Sequence, residues 1–522
     1  MAAALKAVRS TVVDVPVVVG DKAIFTDDVV EQVIPSDHKH VIARIHQAKP
    51  EHIREAIEAA KRVRGAWEAI SPEHRMGAFL RAADKIATQH RDHMNAVTML
   101  GTGKNVRQAE IDCIAEQADF LRMGCNFYEE ILKMQPPLSS SGSWNRMEYR
   151  GLEGFVAAIS PFNFCAIGTN LNTAPALMGN VTLWKPSNTA ALENYVAFQI
   201  LREAGLPPGV INFTPCSPET FQEAINSPDL AGIHFTGSTN TFRTLWKAVA
   251  NNIENYRSFP RLVGETGGKN FHLIRPNADR MTALMQTVRS AFEYQGQKCS
   301  AASRLYVPKS VWEGRVNSNR GTFKEELVSM ADQLSMGQPD DFSVFLTAVI
   351  DEKAYDRINA ALERARADQA CKILTSRTPD KSVGYFIPPT VIETTDPRSE
   401  TMRVELFGPV LTVYVYDDKM PLEDLCKLID TTTPYGLTGS IFSSCQFELR
   451  KCEKLLRHAC GNLYLNDKST GAVVGEQPFG GSRLSGTNDK AGSVLNMLRW
   501  TSPQSVKEAG TVLECYKYPH MQ

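Results

Sequence analysis

The chain has 522 residues, a net charge of −1 at pH 7, 22% charged and 43% hydrophobic side chains. That length allows two or three domains with large cores, and the near-zero charge leaves no basic footprint for nucleic acid. No apolar run approaches the roughly 18 residues of a membrane-spanning helix.

The first thirteen residues carry Lys6, Arg9 and Ser10 and no acidic residue, in the manner of a mitochondrial presequence. A disordered terminus fits them equally well. Residues 50–90 are rich in Ala, Glu, Arg and Ile, and Ile53, Ile57 and Ala60 share one face of an amphipathic helix. Gly101 and Gly103 interrupt the pattern before a second helical run over 110–133. PPLSSSG (136–142) reads as a connector, and 144–150 alternates as a strand.

After Gly154 the texture changes. Short apolar strands over 155–159, 181–184, 210–214 and 232–235 alternate with helices such as 191–204. In that helix Leu192, Val196 and Ile200 form one buried stripe, and Gly205 with Pro207-Pro208-Gly209 ends it. This rhythm predicts a parallel, doubly wound sheet that binds nucleotides at the carboxyl ends of its strands. A second α/β unit spans about 291–466, with strands around Arg304, Gly384 and Val410. The last part, 487–522, mixes Trp500, Tyr516 and Tyr518 with polar residues and reads as an arm laid on a partner subunit. There is no tandem repeat.

The eleven cysteines stand singly, with no CxxC pair. Structural zinc and a disulfide framework are disfavoured, and a reducing compartment is implied. One cysteine stands apart. Cys299, in AFEYQGQKCSAAS (291–303), follows a helix-like run and precedes a strand-like one. A thiolate is a strong nucleophile where access, a lowered pKa and a nearby base coincide, although most free cysteines only fill cores. Gly296 lets this loop approach a ligand closely.

No G-x-G-x-x-G fingerprint links a strand to a helix. Instead, Thr236-Gly237-Ser238-Thr239 follows a strand and opens a helical run over 240–253. Free backbone N–H groups there suit a pyrophosphate, while Ser and Thr are also ordinary N-caps. ISPFNF (159–164) sets Asn163 in a tight turn, VTLWKPS (181–187) sets Lys185 at a strand end, and LVGETGGKN (262–270) sets Glu265 beside two glycines.

These segments, with QGQKCS (295–300) and ELFGP (405–409), resemble the aldehyde dehydrogenase superfamily. Longer runs, GLEGFVAAISPFNF (151–164), FPRLVGETGGKNFH (259–272), SAFEYQGQKCSAASRLYVP (290–308), YGLTGSIFS (435–443) and NDKSTGAVVGEQPFGGSRLSGTNDK (466–490), resemble the branch acting on L-glutamate γ-semialdehyde, the open form of Δ1-pyrroline-5-carboxylate. The likeness runs from about Val17 over nearly the whole chain.

The resemblance implies an α/β protein with a doubly wound, Rossmann-type NAD domain, an α/β catalytic domain and a small oligomerisation arm. It divides the chain into a helical part of the NAD domain (1–134), a connector hairpin (135–153), the Rossmann-type part (154–290), the catalytic domain (291–466), and a tail with the substrate-anchor loop and C-terminal arm (467–522). It implies NAD-dependent oxidation of the semialdehyde to L-glutamate in proline degradation, through a cysteine thiohemiacetal and a thioacyl enzyme. Cys299 would attack, the Asn163 amide and the Cys299 N–H would hold the oxyanion, and Glu265 would activate water.

By the same resemblance NAD would lie on Ser160, Lys185, Gly237, Ser238, Thr239, Asn240, Thr241 and Glu405. Glu116 would face the substrate amine, Ser300, Gly471 and Ala472 its α-carboxylate, and Phe164 and Phe479 its aliphatic chain. Two positions depart from relatives: Asn188 stands where many carry a glutamate, so NAD over NADP rests on the branch likeness, and Ala472 stands where some carry serine. No metal is implied. The partner expected is a second copy, as a homodimer or higher homo-oligomer, and the compartment is the mitochondrial matrix in a eukaryote or otherwise the cytoplasm. Competing readings are the same chemistry on another aldehyde such as succinate semialdehyde, a cysteine hydrolase or acyl transferase without a redox step, and an idle structural protein on an enzyme fold.

Overall fold

The computed structural model describes residues 1–521; Gln522, the last residue of the expected C-terminal arm, lies outside the described residues. Two seven-stranded sheets carry the architecture. The first runs, edge to edge, Arg261–Glu265, Leu230–Thr236, Phe155–Ile159, Thr182–Lys185, Ile211–Phe213, Val17–Val19 and Lys22–Ile24. Its first five strands are parallel, and the last two pairings, Val17–Val19 on Ile211–Phe213 and Lys22–Ile24 on Val17–Val19, are antiparallel. Strands covered by helices on both faces read as continuous apolar runs, which is why 155–159 and 232–235 were legible. The register sets Phe235 beside Ile159, Ile159 beside Lys185, and Thr236 beside Glu265. The carboxyl ends therefore share one edge.

The second sheet runs Cys371–Ile373, Thr390–Thr394, Val410–Tyr416, Ala302–Pro308, Asn270–Ile274, Thr438–Phe442 and Asn462–Leu465, all parallel except the first. The strand expected around Gly384 is absent. Pro388 and Pro389 have no N–H to donate to a ladder, so the strand begins at Thr390. Residues 266–269, Thr-Gly-Gly-Lys, pass directly from the edge strand of the first sheet into a central strand of the second.

The N-terminal part is not purely helical. Val13–Val15, Asp37–His46 and Val29–Ile34 form a three-stranded sheet, and Val17–Val19 with Lys22–Ile24 extend the first large sheet. None of these strands shows a clean alternation: Val13–Val15, Val17–Val19 and Lys22–Ile24 have three residues each, Val29–Ile34 exposes its first three residues, and Asp37–His46 is long but irregular in burial. The extreme N-terminus is ordered rather than disordered: Ala2–Arg9 is a helix that buries Leu5 and Val8 and packs on the helix Arg91–Thr102. The run over 50–90 is two helices, Pro50–Ala69 and Pro72–Ala87, separated at Ser71, which caps the second.

The run over 110–133 starts as a π-helix, Glu110–Glu116, before the α-helix Gln117–Leu132. Wider winding of this kind is uncommon and gathers at functional sites. Here it brings Asp112 to the start of helix Cys165–Leu177, where its carboxylate accepts the Cys165 and Ala166 N–H groups at 3.0 and 2.9 Å. Lys104, also buried, pairs with the same carboxylate at 3.1 Å.

Ser143–Arg150 pairs antiparallel with Ser502–Ala509, from Arg150 opposite Ser502 to Ser143 opposite Ala509, and this ribbon is largely exposed. Among the described residues no helix is long and apolar enough to cross a membrane.

Candidate active site

Helix Arg280–Phe292 does not run smoothly into the next strand. Tyr294, Gln295 and Gly296 all take left-handed backbone angles, with φ of 53°, 55° and 65°. For the two non-glycine residues this costs about 1–3 kcal/mol each, so the surroundings must enforce it. Gln295 is held at both ends of its amide: Nε2 donates to Gly103 O, Thr347 Oγ1 and Ala348 O at 2.9, 3.1 and 2.8 Å, and Oε1 accepts the Thr347 N–H at 3.1 Å. The Lys104 ammonium sits 4.4 Å from the Tyr294 ring centroid. At Gly296 an added Cβ would lie 2.2 Å from Gly408 O, so only glycine lets the Glu405–Pro409 turn close on the loop.

Beyond this bend the backbone around Cys299 is pinned from outside. Asn270 Nδ2 donates to Cys299 O at 2.7 Å and to Ala301 O at 2.9 Å, while Thr438 Oγ1 donates to Ser300 O at 3.2 Å. Asn163 Nδ2 donates to Gln297 O at 3.0 Å. The turn bearing the amide and the loop bearing the thiol are thus one assembly.

Cys299 opens into a cavity of about 360 Å³. Of the residues expected from sequence, Glu265, Glu116, Phe164, Ser300, Gly471, Ala472 and Phe479 line it with Cys299. Asn163 does not line it; it is buried at the wall, against the loop that does. Glu405 lies in an adjoining small recess that shares Lys298 with the main cavity.

The cavity has two electrostatic ends. At one, burial pushes the Glu265 carboxyl well above its ordinary range, although Oε2 accepts the Gly481 N–H at 3.1 Å and Lys490 pulls the other way. Burial also raises the Cys299 thiol, and the Glu265 and Glu405 carboxylates add to that. Glu405, whose Oε1 accepts the Gly268 N–H at 2.8 Å, is raised to about 7, by burial. At the other end Glu293 joins two lysines, Lys298 at 3.1 Å and Lys468 at 3.1 Å. Burial works to raise Glu293, but the lysines outweigh it and hold it ionised. Glu116 is raised to about 8 by burial and by Asp112, against Lys298 and Lys104. Two lysines on one carboxylate leave an excess positive charge suited to an anion.

The sequence reading missed this triad and Asn270. Lys298 touches Cys299 in sequence, and Lys468 precedes the Ser469–Ala472 loop, so charge beside two singled-out segments was the available signal.

At the shared sheet edge, Ser160 follows one strand, Lys185 ends the next, and Gly237 follows a third. Ser160 Oγ accepts the Trp184 indole N–H at 2.9 Å. Ser238 does cap the helix Thr239–Asn251, accepting the Thr241 N–H at 3.1 Å, and Thr239 Oγ1 donates to Leu484 O at 3.1 Å. Asn240 and Thr241 are exposed in the first turn. A helix start with free N–H groups, a lysine at a strand end and a carboxylate in a recess match the phosphates and the two ribose diols of a dinucleotide. Gly267 leaves the room: its Cβ would lie 2.0 Å from Glu405 Oε2. These residues fit NAD. Asn188 exchanges hydrogen bonds with the Gln47 amide at 3.2 and 3.3 Å, so no carboxylate stands there.

Residues 25–506 match the aldehyde dehydrogenase family. The chain is 49% identical to the mitochondrial Δ1-pyrroline-5-carboxylate dehydrogenase of Dictyostelium discoideum, over 98% of this chain and 91% of that one. It is 50% identical to the mitochondrial enzyme of that name from Bos taurus, over 99% and 91%. The crystal structure of the Mycobacterium tuberculosis Δ-pyrroline-5-carboxylate dehydrogenase bound with NAD superposes with a TM-score of 0.94 at 43% identity, covering 100% of this chain and 95% of that one.

If the Gln295 amide holds the strained bend, Gln295→Ala is expected to cost about 2 kcal/mol of stability and to slow alkylation of Cys299 by iodoacetamide. Unchanged alkylation in a folded variant would show that the thiol is placed by other contacts.

Proposed function

The chain belongs to the aldehyde dehydrogenase family, and we propose that within it this enzyme oxidises L-glutamate γ-semialdehyde to L-glutamate, with NAD, in proline degradation. The observation that carries this reading is one cavity with a thiol and a carboxyl of raised pKa at one end and a lysine pair, Glu116 and the Gly471-Ala472 loop at the other. A substrate with an aldehyde at one end and an amino-acid group at the other matches both.

The Cys299 thiol gives its proton to water, and Sγ then adds to the aldehyde carbon, opening the C=O bond to give a thiohemiacetal alkoxide. The alkoxide forms against the Cys299 N–H and toward the second N–H of the Asn163 amide, whose first is taken by Gln297 O at the cavity wall; one good donor is worth about 3 kcal/mol. NAD held at the Ser160, Lys185 and Glu405 site would supply the hydride acceptor this adduct needs to become a thioester. Glu265 then takes a proton from the water that attacks the thioester carbonyl, releasing L-glutamate and the sulfur. Burial suits Glu265 to this task, because a carboxylate of ordinary pKa is too weak a base.

At the far end the Gly471 and Ala472 N–H groups and the Ser300 hydroxyl receive the α-carboxylate, with Lys298 and Lys468 supplying positive potential. The methyl side chain of Ala472 leaves the backbone donor in place. Glu116 meets the ammonium group, whose positive charge favours the ionised carboxylate, so the Glu116 proton passes to water and an ion pair is left. Succinate semialdehyde would leave Glu116 unpaired in the cavity, and a hydrolase without a redox step would leave Lys185 and Glu405 without a task. Ser160, Lys185, Glu405 and the Gly237–Thr241 segment hold the dinucleotide. The exposed ribbon of Ser143–Arg150 and Ser502–Ala509 joins copies into a homodimer or larger homo-oligomer, and the mitochondrial matrix fits the names of the eukaryotic relatives.

NADH formation from Δ1-pyrroline-5-carboxylate is the direct assay, and Cys299→Ala is expected to abolish it; retained turnover refutes the nucleophile. Burial raises both Glu265 and Cys299, so both lose their protons only as pH rises and kcat/KM is expected to climb with increasing pH instead of levelling off above the ordinary carboxylate range. A flat profile above that range contradicts both roles. Asn188→Glu puts a carboxylate where a 2′-phosphate would come, and is expected to increase discrimination against NADP by about tenfold. An unchanged coenzyme ratio would mean that Asn188 lies away from the ribose.

A further inference from the structure

Ser469 opens the loop that runs on to Gly471 and Ala472, yet its own side chain is turned away from the cavity and fully buried. Its hydroxyl donates to Ser300 O at 2.9 Å and lies 2.9 Å from the Ser290 hydroxyl, which donates to it in turn. Its backbone N–H donates to His272 Nε2 at 3.3 Å. One residue therefore binds the far-end loop to the neighbour of the nucleophile, to helix Arg280–Phe292 and to strand Asn270–Ile274.

The histidine is built for a fixed role. His272 is fully buried, its Nδ1 donates to Thr287 Oγ1 at 3.0 Å, and burial pushes its pKa down to about 3. The ring stays neutral in the working range and Nε2 keeps its lone pair for Ser469. Two residues earlier on the same strand, Asn270 holds Cys299 O. Residues two apart on a strand share a face and stand about 6.6 Å apart along it. The strand thus grips the nucleophile with one side chain and the far-end loop with another. A second tie, Lys468 to Glu293 to Lys298, joins the same two segments on the other side of Cys299.

We propose that Ser469, backed by His272, is a positioning residue that sets the spacing between the Cys299 thiol and the loop receiving the α-carboxylate, and so selects aldehydes of glutamate's chain length. This rests on the substrate reading above. Ser469 touches neither substrate nor coenzyme; it acts through Ser300 and through the start of the loop.

The test compares three aldehydes on the full-length enzyme: glutamate γ-semialdehyde, aspartate β-semialdehyde, which is one methylene shorter, and propanal, which has no carboxylate. For Ser469→Ala, KM for glutamate γ-semialdehyde is expected to rise about tenfold with kcat within about threefold, a split typical of lost binding geometry. The preference over aspartate β-semialdehyde should narrow at least fivefold, and the loss for propanal should be smaller by a similar factor. His272→Gln, which restores an acceptor for the Ser469 N–H, should stay closer to wild type than His272→Leu in this ratio. Equal losses on all three aldehydes, or an unchanged KM, overturn the spacing role. A wild-type enzyme that prefers propanal overturns the substrate reading and this proposal with it, whereas wild-type preference for glutamate γ-semialdehyde with an unaffected Ser469→Ala overturns the proposal alone.

Discussion

The structure depends on a bend that the backbone resists. Three consecutive left-handed residues, Tyr294 to Gly296, turn the chain out of helix Arg280–Phe292 ahead of strand Ala302–Pro308. Left alone, such a bend would relax into a longer helix. It persists because the Gln295 amide is satisfied by Gly103, Thr347 and Ala348, segments remote in sequence, and because Gly296 accepts the close approach of Gly408. The bend lifts the Cys299 loop across the Thr-Gly-Gly-Lys passage between sheets. Glu265 at one end of that passage and Asn270 at the other then belong to the same site.

Burial around this loop decides the chemistry. Removing water raises both the thiol and the Glu265 carboxyl, which keeps each neutral until a reacting group arrives. The opposite end is handled differently. There Glu293 stays ionised between two lysines, so charge is fixed in place rather than suppressed. On the proposed reading, a cavity lined by both kinds of group would orient a bipolar substrate before any bond forms.

Much of this was legible in the sequence wherever a local rule applied. The parallel strands declared themselves as apolar runs because both of their faces are covered, and Cys299, Glu265 and Lys185 stood in distinctive short motifs. The N-terminal strands escaped because they are three-residue pieces or lack a regular burial alternation, and the strand placed at Gly384 failed because two prolines hold the ladder back to Thr390. The π-helical winding over Glu110–Glu116 leaves no periodic signature, although it delivers both Asp112 and Glu116. The contacts that fix the geometry, Asn270 to Cys299, Ser469 to Ser300 and Glu293 to Lys468, join segments apart in the chain. Each is an ordinary polar residue until the fold supplies its partner.

The central claim is that Cys299 carries the substrate as a thioester which Glu265 helps to hydrolyse. Glu265→Gln enzyme mixed with NAD and glutamate γ-semialdehyde, quenched in acid, digested and mapped by mass spectrometry, tests it most directly. A glutamyl adduct is expected on the peptide bearing Cys299, at higher occupancy than in the wild-type enzyme. An adduct on another residue, or none while NADH is still produced, would contradict it.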